Sequence, residues 1–164
     1  MDYSTTKELR TGDNPARWRG HLKNLLPAPN KIKEVIHHAA LSYNEIGAFM
    51  IDLRNVEGMG ARALEFAILT AARSGEVRGA TWSEIDINVN TWTIPAKRMK
   101  MKKEHKVPLA GDTIKLLKAI PRIGGTDLIF SNTKSAELSD VTLTAVLRRI
   151  ERNVTAHGCL SMPV

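Results

Sequence analysis

Residues 61–72, ARALEFAILTAA, are apolar on nearly every side of a helix, and a helix without a polar face has to be surrounded by other elements. A chain that carries this segment folds around it. The 164 residues, 43% of them hydrophobic, supply one domain with a core of its own, so neither a disordered tail nor a miniature disulfide scaffold fits. Ser42 and Glu45 have capping-box spacing ahead of Ile46, Phe49, Met50 and Leu53, which predicts a helix over 43–56. A short helix is expected over 75–82. Asp112 is placed to cap a helix running through Ile120, and Leu143, Val146, Leu147 and Ile150 stripe one face of another. Between these helical segments IDIN, VN, TWTIP and HKVPL show the alternation and turn chemistry of strands. The expected fold is therefore α+β and mainly α, with a small three-stranded antiparallel sheet near its middle.

Residues 1–40 are poor in periodicity and hold Gly12, Asn14, Pro15, Pro27 and Pro29, so they read as an interdomain linker or arm. Residues 41–164 are expected to form the domain. The single cysteine, Cys159, has no internal partner, and the polar N-terminus together with short apolar runs predicts neither a signal peptide nor a membrane span. A cytoplasmic location follows as the expectation.

Charge is concentrated. The run from Lys97 to Lys106, KRMKMKKEHK, contains six Lys or Arg against one Glu, which is +5 of a net +7. Such a run reads either as a solvated surface turn or, thrust out at a hairpin tip between two strands, as a contact to a polyanion. The second reading makes a polyanion the partner and Lys97, Arg98, Lys102, Lys103, His105 and Lys106 the contacting residues.

Other sites are unfavoured by pattern. No phosphate-cradling Gly-x-x-x-x-Gly-Lys loop occurs, and Gly58, Gly60 and Ala63 follow a helical segment where a dinucleotide site needs a strand. His37 and His38 are adjacent, and His105 and His157 have no partner at ligand spacing, so no metal and no cofactor are expected. The informative stretch is 70–86, TAARSGEVRGATWSEID. An arginine delivered by so apolar a helix must be paired or must hold an anion, because an unpaired buried guanidinium is costly. Arg73 and Glu76 are accordingly either a salt bridge stapling two helices or a phosphate-facing arginine with its orienting carboxylate.

These residues resemble the tyrosine recombinases, and among them the integrases of temperate phages and genomic islands. Thr70, Arg73, Gly75 and Glu76 coincide with the family's Thr-x-x-Arg-x-Gly-Glu stretch, and Trp82, Glu84, Ile85 and Asp86 with the Trp-x-[Asp/Glu]-Ile-Asp that follows. Lys100 stands where that family has its hairpin lysine, His105 to Leu109 match its His-x-Val-Pro-Leu strand, and NPARWRGHLKNLLP resembles its interdomain linker. The resemblance implies a tyrosine that attacks a DNA phosphodiester, arginines that clamp the phosphate and a lysine that protonates the leaving 5′ oxygen, with no metal. It assigns Arg73, Glu76, Lys100 and His157 to the catalytic site.

The match breaks after Gly158. The family's His-x-x-Arg box has His157 here but Leu160 in place of the arginine, and Tyr3 and Tyr43 both precede Arg73. The expectation is thus a recombinase catalytic domain truncated before its nucleophile and inactive alone. The alternatives are a non-catalytic DNA-binding module or a non-functional remnant. The intact family acts as an oligomer on DNA, whereas this fragment is expected to be a monomer in solution and to have no membrane partner.

Overall fold

The computed structural model describes residues 41–99 and 101–150, together with 6–9, 11–12, 14, 16–17, 19 and 22–26. The chain divides into two compact units, Met1–His37 and His38–Val164. In the first, the Asn14 side chain accepts from the Ala16 backbone N–H at 2.9 Å, making an Asx turn, and Lys23–Leu25 form one helical turn.

In the second unit helix α1 spans Ile46–Asn55, α2 Met59–Thr70, α3 Ser74–Arg78, α4 Gly111–Ala119 and α5 Thr142–Arg149. Strands β1 (Ile85–Asp86), β2 (Thr91–Ile94) and β3 (His105–Pro108) form an antiparallel sheet in the order β1-β2-β3. The mainly helical fold with one small sheet is as the sequence implies. Several boundaries differ. The N-cap of α1 is Glu45 and not Ser42: the Ser42 carbonyl accepts the Glu45 N–H, Tyr43–Glu45 is a 3-10 turn, and α1 begins at Ile46. The helix expected over 75–82 is two pieces, α3 and a 3-10 turn at Trp82–Glu84, because Gly79 ends α3. Asp112 sits inside the first turn of α4 behind Ala110 and pairs with Lys115 at 2.9 Å instead of capping.

Helix α2 is the central element, packed by α1, α3, α4 and α5. Ala61, Ala63, Leu64, Phe66 and Ala67 are all within 1% of complete burial, which is what an apolar circumference requires. Phe66 meets Trp92 of β2 edge-on at 5.1 Å and Phe130 at 5.3 Å, joining helix, sheet and the following loop. The exception on α2 is Glu65, buried among these side chains. Its carboxylate takes Arg54 of α1 at 2.6 Å and Arg62 at 3.5 Å, so the charge is compensated and α1 is fastened to α2. The hydrogen bond to Glu65 pushes the Arg54 pKa above its ordinary value. Helix α5 approaches α2 at Gly60, where a Cβ would lie 2.8 Å from Thr142 Cγ2.

In the sheet, Trp92 opposes Val107, Thr93 opposes Lys106 and Ile94 opposes His105. Trp92 and Ile94 point into the core, so the period-two pattern aims Thr93 and Lys106 the other way. The basic run therefore connects β2 to β3 on the solvent side of the domain. No helix among the described residues is long and apolar enough to cross a membrane.

Candidate nucleic-acid interface

Helix α2 ends at Ala71, a non-glycine residue in the left-handed region with φ +51°. That residue stops the helix and turns the chain, so Arg73 leaves the core in extended conformation at the N-cap of α3. The Arg73 side chain is 69% exposed, whereas the Glu76 side chain is 11% exposed. The premise of a buried arginine is corrected: the partner that needs compensation is the carboxylate. Glu76 Oε2 accepts the Arg73 backbone N–H at 3.0 Å, and Oε1 accepts guanidinium NH1 at 2.9 Å. The side chain of a capping-box glutamate thus caps its helix and aims the arginine at the same time.

Arg98 also differs from its expected place among surface cations. It ends a 3-10 turn, Ala96–Arg98, and folds back under the basic run with 20% of its side chain exposed. NH1 donates to the Glu76 carbonyl at 2.9 Å, and NH2 is bonded to Glu84 Oε2. The same Glu84 oxygen accepts Trp92 Nε1–H at 3.0 Å and the Thr81 N–H at 3.5 Å. Arg98 Nε is buried with no acceptor among the described residues. Gly79 makes room for this guanidinium, since a Cβ there would stand 2.8 Å from NH1.

The other described residues of the run with basic side chains face solvent. Lys97, Lys102, Lys103, His105 and Lys106 are exposed, and Lys106 lies 3.8 Å from Glu104. Lys100 and His157, like Leu160, lie outside the described residues. Arg73 and the basic turn are thus brought together through Glu76, whose carboxylate holds one arginine and whose carbonyl holds the other. Arg122 stacks over Trp82 at 4.8 Å, beside the Glu84 turn. No cluster of three or more His, Cys, Asp or Glu that could hold a metal occurs among the described residues.

Sequence reasoning missed the role of Glu84 as a hub and of Gly79 as a seat. The signal for the first was present, because Thr81 and Glu84 have capping-box spacing and the turn they close is built that way. Nothing local marked Gly79, whose neighbour Arg98 is distant in sequence.

Residues 38–158 match the model of the phage integrase family. The integrase of Enterobacteria phage P4 is 33% identical in an alignment of 147 positions that covers 77% of this chain and 34% of that protein. The prophage integrase IntA of Escherichia coli K12 is 38% identical in an alignment of 100 positions that covers 58% of this chain and 24% of that protein. The chain thus spans about a third of the first of these relatives and a quarter of the second. Among solved structures, the Tn1549 transposon integrase in complex with a circular intermediate DNA superposes with a TM-score of 0.72 at 13% identity, over 96% of this chain and 60% of that one. The XerA recombinase gives 0.60 at 19% identity, over 87% and 52%. At such identities these likenesses establish the fold. The stretch matched by the family model takes in α1 to α5, the Arg73–Glu76 pair and the whole basic run, and this chain belongs to the phage integrase family.

Proposed function

We propose that this chain is the phosphate-binding portion of an integrase-type tyrosine recombinase catalytic domain, and that it binds duplex DNA through its sugar-phosphate backbone. The observation that carries the reading is the asymmetry of the central pair: an exposed Arg73 guanidinium oriented by a nearly buried Glu76. A staple between helices would bury both partners. Glu76 engages NH1, which leaves the rest of the planar fork to meet two oxygens of a phosphate, a geometry and permanent charge that lysine lacks. Lys97, Lys102, Lys103 and Lys106 supply point charges along the flanking backbone. By resemblance, Lys100 protonates the departing 5′ oxygen and His157 assists proton transfer. Base recognition is not assigned to these residues, since phosphate contacts position a duplex without reading it.

Binding without cutting is a second reading, favoured by Leu160, which stands where the family has its second arginine and so removes one phosphate contact. On a nicked suicide substrate, which traps phosphotyrosyl intermediates, this polypeptide is expected to form no covalent adduct. A covalent adduct would overturn that reading.

Fluorescence anisotropy with a duplex of unrelated sequence tests the main proposal. Arg73 and four exposed lysines neutralising about five phosphates give a slope of roughly −4 to −5 for log affinity against log salt. No binding at low salt, or binding indifferent to salt, would refute it.

A further inference from the structure

Among the cations of the basic run, Arg98 is set apart by its burial and its partners. Lys106 is 69% exposed, while Arg98 is 20% exposed and gives its two terminal nitrogens to groups on different elements. One goes to the carbonyl of Glu76 on α3 and the other to the carboxylate of Glu84, which also fixes Trp92 of β2. Glu76 in turn holds Arg73. A single residue therefore separates the two arginines, and the root of the basic turn is tied to the helix that aims Arg73.

We propose that Arg98 is the positioning residue of this interface: it locks the β2–β3 connection onto α3, so that the lysines and Arg73 address one DNA backbone as a preorganised unit. The inference rests on the DNA-binding function proposed above. Its physical basis is that ordering long side chains and a loop at the moment of binding lowers affinity, and a tether that orders them beforehand removes that cost. The site is shaped for a guanidinium in particular. A lysine ammonium is a point donor that cannot serve the Glu76 carbonyl and the Glu84 carboxylate in the same fork geometry. Gly79 admits NH1 where a methyl group would displace it.

Three variants of the full chain separate positioning from direct phosphate contact and from plain stabilisation. Arg98→Lys keeps the charge, Gly79→Ala keeps the arginine but crowds it, and Glu84→Gln keeps shape while removing the ionic partner. Each is measured by thermal denaturation, by hydrogen exchange and by duplex DNA affinity at a temperature where the protein is fully folded. Arg98→Lys is expected to weaken DNA binding about tenfold with net charge unchanged, as one or two side chains must then be ordered on binding. Exchange in the peptide covering 96–107 should accelerate while that of α2 stays as it was. Gly79→Ala should move both readouts the same way, and it decides the matter with Glu84→Gln if Arg98→Lys does not fold. Unchanged DNA affinity in Arg98→Lys beside a salt-dependent wild type would overturn this inference alone, as would unaltered exchange in 96–107. A wild-type chain that binds no duplex would overturn the proposed function and this inference with it.

Discussion

Glu76 holds Arg73 at both ends, taking its backbone N–H on one carboxylate oxygen and its guanidinium on the other, at 3.0 and 2.9 Å. The backbone contact is the reach-back half of a capping box, and the side-chain contact fixes the arginine on a surface where it would otherwise sample many rotamers. Local helix-start chemistry and the orientation of a charged group come from the same four residues.

That relationship makes the sign of a substitution informative. Glu76→Gln raises the net charge by one, which on electrostatics alone would tighten DNA binding. If the carboxylate aims Arg73, binding should instead weaken several-fold while the helix cap, which glutamine can maintain, keeps the stability change to about 1 kcal/mol. Anisotropy titrations of the two proteins at one salt concentration decide the sign.

A pair of glycines tests the packing around α2. A methyl group added at Gly47 on α1 would meet nothing within 4 Å, whereas at Gly60 it would meet Thr142 Cγ2 at 2.8 Å and Val146 Cγ2 at 3.2 Å. Both neighbours are β-branched and stiff. Gly47→Ala should therefore stabilise by up to about 1 kcal/mol through helix propensity. Gly60→Ala should destabilise by about 1–2 kcal/mol, the crowding outweighing the same propensity gain. Chemical denaturation of both variants checks the opposite signs.

Asp112 supplies a pH prediction of known sign. The hydrogen bond from Lys115, and then its charge, hold the Asp112 carboxyl below the usual carboxylate range, with a smaller contribution from the charge of Arg54. A folded-state pKa below the unfolded one means that the stabilisation is present above the unfolded value, about 4, and is lost as pH falls through the folded one. An NMR titration should find Asp112 ionised below the ordinary range, and Lys115→Met should return it toward that range.

The fold was legible where the pattern was local and strong. Most of ARALEFAILTAA forms the central helix, although its last two alanines lie beyond α2, and TWTIP and HKVPL supply paired strands as their pattern implies. Boundaries were less legible. Ser42 and Asp112 are good cap residues by type, yet the N-caps of α1 and α4 are Glu45 and Ala110. The exposure of Arg73 was hidden because it depends on one left-handed residue, Ala71, for which alanine gives no warning. Arg98 was hidden for a different reason: in a run of six cations, charge alone does not reveal which one finds carboxylate and carbonyl partners across 14 and 22 residues.

The orientation of Arg73 toward phosphate is tested most directly by Arg73→Ala, measured for stability and for DNA affinity as a function of salt. The exposed guanidinium contributes to stability only what a screened ion pair does, and Glu76 retains the backbone bond, so Tm should fall by no more than about 4 °C. Affinity for duplex DNA should drop at every salt concentration, with the log–log slope smaller by about 0.9, the signature of one lost phosphate contact. A Tm lower by about 10 °C with affinity and slope unchanged would contradict this and make the pair a structural staple.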